Sequence, residues 1–102
     1  MNKLYFVRDI EENMGVVISA PTSKIAKSIG YAEICDTNFT NIGCNAISTG
    51  SWHITDRDGP MFNITGQGIV TTDLPTGYVM WQDFINEIKK QGRYEEDGND
   101  TN

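Results

Sequence analysis

No stretch of this 102-residue chain stays apolar long enough to cross a bilayer as a helix, which takes ~18 residues. Met1-Asn2-Lys3 runs into a strand-like segment interrupted by Arg8 and Asp9, which is not the pattern of a secretory leader. The expected setting is therefore the cytoplasm, with no membrane partner. There the Asn-X-Thr triplets at Asn38, Asn63 and Asn99 carry no glycosylation meaning. Cysteine is scarce. The two residues, Cys35 and Cys44, are too few for a disulfide framework and read most simply as free thiols. Positive charge is scarce too, with 8 Lys and Arg against 14 Asp and Glu and a net charge of −6. Only Lys89, Lys90 and Arg93 cluster, whereas a phosphate backbone demands a basic patch. Nucleic acid is thus not an expected partner.

What is present suffices for one packed domain. Hydrophobic residues make up 38% and aromatic residues 10% of the chain. At this length about two-thirds of the unfolded surface should be buried without a metal or disulfide staple.

The chain opens with a hairpin followed by a helix. Leu4-Tyr5-Phe6-Val7 and Gly15-Val16-Val17-Ile18-Ser19 are rich in β-branched and aromatic residues, and Asn13-Met14-Gly15 supplies turn chemistry. Both runs are apolar at successive positions, which marks strands covered on both faces or central in a sheet. Thr22 can cap a helix in which Ile25, Ala26, Ile29 and Ala32 share one face, and Gly30 reads as its stop.

Ile42 to Ser48 reads as a third strand with Ile42, Cys44 and Ala46 on one face. Trp52–Thr55 and Met61–Thr65 form a second hairpin around Asp56–Pro60, and residues 69–72 a final short strand. Asp73–Gly77 is a turn into the second helix. There Trp81, Phe84, Ile85 and Ile88 recur at i, i+3, i+4 and i+7, and Gly92 ends the element.

These elements imply an α+β fold: an antiparallel sheet of four to six short strands with two helices packed on one face, a two-layer sandwich. Residues 1–92 form the single domain. Residues 93–102, acidic and without apolar period, are expected to be a flexible tail.

Each chemistry-bearing residue also has a simpler role. Cys35, Cys44 and His53 are evenly spaced, with Asp56 and Asp58 close behind, and thiolate and imidazole are zinc ligands. Zinc motifs place ligands in tight local pairs, however, and that pairing is missing. A Cys–His nucleophile has no signature around either cysteine. Asp56-Arg57-Asp58-Gly59 lacks the later ligands of a calcium loop, and a set with Asp73 gains nothing over hairpin-turn chemistry. Gly66-Gln67-Gly68 lacks the Lys-Ser/Thr of a phosphate loop. Trp81 falls on a core stripe, while Trp52 is the better candidate for a contact surface. No catalytic, cofactor-binding or metal residue is assigned.

In their order, Tyr5-Phe6-Val7, Gly15-Val16-Val17-Ile18-Ser19-Ala20, Lys24-Ile25-Ala26-Lys27-Ser28-Ile29-Gly30-Tyr31 and Asn38-Phe39-Thr40-Asn41-Ile42 resemble a diffuse group of small phage and prophage proteins. The likeness covers about half of the chain and lies in fold-forming residues; Trp52 to Asp73 departs from it. That group implies no activity. The expected function is that of a small non-enzymatic accessory protein that binds another protein, or a second copy through a strand edge or the Trp52 hairpin. An acidic surface also suits a basic partner. The alternative is an enzyme or a ligand or metal binder with a pocket near Cys44, His53 and Asp56.

Overall fold

A computed structural model describes residues 1–11, 14–34, 39–47, 52–55, 61–64, 70–92 and 94–95. The first hairpin forms as its two apolar runs require. Strands β1 (Asn2–Asp9) and β2 (Met14–Ala20) pair antiparallel with Tyr5 opposite Ile18, Phe6 opposite Val17 and Val7 opposite Val16. β3 (Ile42–Ala46) lies on the other side of β1, antiparallel to it. Further along, residues 52–55 form β4 and residues 61–64 form β5, the second hairpin.

Three short strands complete the set. β6 (Thr71–Thr72) pairs with Asn2 and Lys3 at the start of β1. β7 (Gly77–Val79) pairs with β2, within a stretch whose turn residues hide a strand. Tyr94 and Glu95, within the stretch expected to be a tail, form β8 against β5. The described strands thus make a five-stranded sheet, β3-β1-β2-β7 with β6 also on β1, and a three-stranded sheet, β4-β5-β8.

The α+β class and the antiparallel sheet match the sequence reading; the placing of the helices does not. Helix α1 (Ser23–Ile34) buries Ala26 and Ile34 in one apolar cluster with Tyr5, Val7, Val16, Ile18 and Ile42. Helix α2 (Trp81–Lys90) buries Phe84 and Ile88 in another, with Leu4, Phe6, Val17 and Val79. Successive residues of a strand point to opposite faces. The two helices therefore sit on opposite faces of the five-stranded sheet, not together on one. The doubly apolar runs of β1 and β2 are the cause, because each face needs its own cover.

Local chemistry fixes both helices. Thr22 caps α1: its Oγ1 accepts from the Ile25 N–H at 3.3 Å and its carbonyl from the Ala26 N–H at 3.0 Å. Gly30 does not end α1. It is buried inside the helix, where a Cβ would sit 2.5 Å from the Cβ of Val7, so the missing side chain lets the helix settle on the sheet. The buried face consequently runs through Ala26, Gly30 and Ile34, leaving Ile25 and Ala32 exposed. α2 ends where expected. Gly92 has φ +72°, a left-handed conformation natural to glycine, and its N–H donates to the Lys89 carbonyl at 3.0 Å.

One junction organises the chain path. The Leu4 N–H donates to the Val70 carbonyl at 3.0 Å, and the Leu4 carbonyl accepts from the Ile47 N–H at 3.0 Å. Val70 in turn donates to the Ile47 carbonyl at 2.9 Å. The chain thus leaves the main sheet at Ile47 and returns to it at Val70, beside its point of departure.

Candidate functional site: the outer edge of strand β3

β3 is one of the two end strands of the main sheet, and among the described residues no strand pairs with its outer side. Its inner side is fixed at both ends. The Ile10 N–H donates to the Asn41 carbonyl at 2.9 Å, and the Ile47 N–H to the Leu4 carbonyl. In an antiparallel ladder every second residue exchanges bonds with its neighbour. Gly43 and Asn45, in step with Asn41 and Ile47, face β1. The backbone groups of Ile42, Cys44 and Ala46 therefore point outward.

The side chains of these three residues lie on the α1 face, as the alternation in the sequence implied. Ile42 is buried, Cys44 and Ala46 are half-buried, and Asn45 on the opposite face is exposed. The strand carries no charge and no proline, two devices by which proteins blunt a free edge. The sequence holds a signal for this that local motif reading misses: from Thr37 to Thr55 there is no Asp, Glu, Lys or Arg. That stretch supplies β3 and β4, an end strand of each sheet.

Cys44 is the one chemistry-bearing residue on this edge. Its Sγ–H donates to the Ser23 carbonyl at 3.5 Å, tying β3 to the first turn of α1. Burial pushes the thiol above its ordinary pKa, and the Lys27 ammonium opposes this more weakly. The hydroxyl of buried Tyr5, on the same face, is also held above its ordinary value, first by burial and then by the charge of Cys44. A thiol held protonated is a poor nucleophile, since the thiolate is the reactive form.

The other candidates do not gather around it. His53 stands opposite Asn63 in the three-stranded sheet, whereas Cys44 belongs to the five-stranded one. Cys35, Asp56, Asp58 and Gly66–Gly68 lie outside the described residues, as do the side chains of Trp52 and His53. Asp73 is exposed just after β6. Trp81 is half-buried in α2 with its ring centroid 5.9 Å from that of Phe84, in keeping with a core stripe. Among the described residues, no group of three or more His, Cys, Asp or Glu is placed to hold a metal ion. No described helix is long and apolar enough to cross a membrane. The chain matches no family model, no curated protein and no solved structure.

Proposed function

We propose that the protein is a non-enzymatic binding module of the cytosol, an accessory protein of phage or prophage type, which takes its partner by strand addition at β3. The observation that carries this reading is the uncharged, proline-free outer side of Ile42–Ala46, with the backbone groups of Ile42, Cys44 and Ala46 turned away from the sheet. A strand laid against such an edge gains main-chain hydrogen bonds, while side chains at alternate positions select it. The raised pKa of Cys44 weighs against the rival reading, an active site built on that thiol with His53 and Asp56.

Amide exchange on the dilute protein tests the reading directly. The N–H groups of Ile42, Cys44 and Ala46 should exchange far faster than those of Gly43 and Asn45 beside β1. Protection of all five amides at high dilution would mean that the edge is already covered within the chain, and the reading would fall. For the rival, fast alkylation of Cys44 by iodoacetamide well below pH 8, or zinc retained through purification, would put the enzyme reading first.

A further inference from the structure

Resting on that reading, we propose that the strand added to β3 is the β3 strand of a second copy, paired antiparallel about a two-fold axis at Cys44. The outward groups belong to Ile42, Cys44 and Ala46, spaced evenly about the centre of the five-residue strand. An antiparallel copy centred there sets Ile42 opposite the partner's Ala46, Cys44 opposite the partner's Cys44, and Ala46 opposite the partner's Ile42. All three are hydrogen-bonded pairs that exchange two bonds each, so every outward group on both edges is satisfied. The contact is isologous, as a two-fold dimer requires, and closes after two copies.

Charge favours the same occupant. Each copy carries −6, so two copies can approach closely only where their surfaces are uncharged. The longest charge-free stretch of the chain, Thr37 to Thr55, contains the whole of β3. A basic partner gains no attraction from such an edge, whereas an identical edge meets no opposing charge on it. Apart from Ile42, which is buried under α1, the side chains next to the seam are short: Gly43 and Asn45 on one face, Cys44 and Ala46 on the other. A five-residue seam falls well short of the roughly 20–30 residues a side of a standard interface, so the dimer is weak. Its remaining opposition is the repulsion of two acidic bodies, which salt screens. Dimerisation therefore strengthens with ionic strength, whereas charge-driven pairing would weaken.

The decisive experiment combines sedimentation velocity over a wide concentration range with amide exchange at both ends of that range. The expected result is a monomer at low and a dimer at high micromolar concentration. The amides of Ile42, Cys44 and Ala46 should slow together as the dimer forms. Ala46→Pro removes one outward N–H and leaves the bonds to β1 intact; it should weaken dimerisation at least tenfold. Asn45→Asp keeps every backbone group and adds a negative charge beside the seam to each already acidic copy, so it should weaken dimerisation several-fold at low salt and recover at high salt. A monomer at every concentration with fast-exchanging edge amides would overturn the second copy as occupant while leaving the open edge in place. Protected edge amides in the monomer would overturn both readings. A dimer indifferent to both substitutions would place the interface elsewhere and refute the pairing.

Discussion

Gly30 of α1 rests directly on Val7 of β1, at a point where a Cβ would lie 2.5 Å from the Val7 Cβ and 2.9 Å from its Cγ2. The obstacle is a stiff β-branched side chain in a central strand, which has no room to move aside.

Gly30→Ala should therefore destabilise the protein by about 1–3 kcal/mol from overpacking, despite the roughly 1 kcal/mol that alanine gains over glycine inside a helix. Urea unfolding of Gly30→Ala, Val7→Ala and the double variant measures this. The double variant should recover part of the loss, because the space removed at Val7 is the space the new methyl needs. A neutral or stabilising Gly30→Ala would show that α1 stands farther from the sheet.

Ser19 is fully buried, and its hydroxyl donates to the Leu74 carbonyl at 3.1 Å, which also accepts from the Asn2 side-chain amide at 3.1 Å. These bonds hold the turn before β7 against β1 and β2. Ser19→Ala should cost about 1 kcal/mol, since Leu74 keeps its second donor. Combining it with Asn2→Ala should cost more than the sum of the two, read from chemical denaturation, because the carbonyl then loses both.

Alkaline pH should destabilise the fold. The Cys44 thiol and the Tyr5 hydroxyl both have raised pKa values when folded, relative to ordinary values of 9.0 and 10.0. Above those ordinary values the unfolded chain loses protons that the folded chain keeps, so stability falls as pH rises. Their contribution is complete below pH 9 and is lost through the raised folded values. Thermal melts of Cys44→Ser and Tyr5→Phe should each show a shallower alkaline decline than the parent. An unchanged slope in both would refute the assignment.

The bond from Val70 to Ile47 joins the two ends that flank residues 48–69. Replacing residues 48–69 with a short glycine-rich link should leave β1, β2, β3 and both helices folded, since loops whose ends meet are replaceable at small entropic cost. Amide exchange of Leu4–Val7 and Val16–Ile18 checks this. Loss of slow exchange there would mean that the main sheet depends on the replaced residues.

The double-sided apolar runs of Leu4–Val7 and Val16–Ile18 made the central hairpin legible, and the Trp81–Ile88 stripe made α2 so. The same runs imply cover on both faces, while the two helix stripes are equally compatible with a single covered face. Helix stripes report that a face is buried and say nothing of which side of the sheet buries it. Gly30 misled for a related reason. In a local window it is a stop, and only the tertiary neighbour Val7 turns it into a contact. Gly77-Tyr78-Val79 was hidden by length, since three residues cannot display alternation. For the candidate site, the shared face of Ile42, Cys44 and Ala46 followed from period two. Its position at the rim depends on strand order, which no local window contains.

The junction at Leu4 also governs the order in which the fold can be completed. β1 is synthesised before the other described strands, yet the Leu4 carbonyl waits for Ile47 and the Leu4 amide for Val70. The apolar face bearing Leu4 and Phe6 stays open longer still, until Phe84 and Ile88 arrive with α2. An early hairpin of β1 and β2 would therefore carry a sticky, half-covered sheet until α2 is made. The nascent chain is thus most vulnerable to aggregation before α2 has emerged.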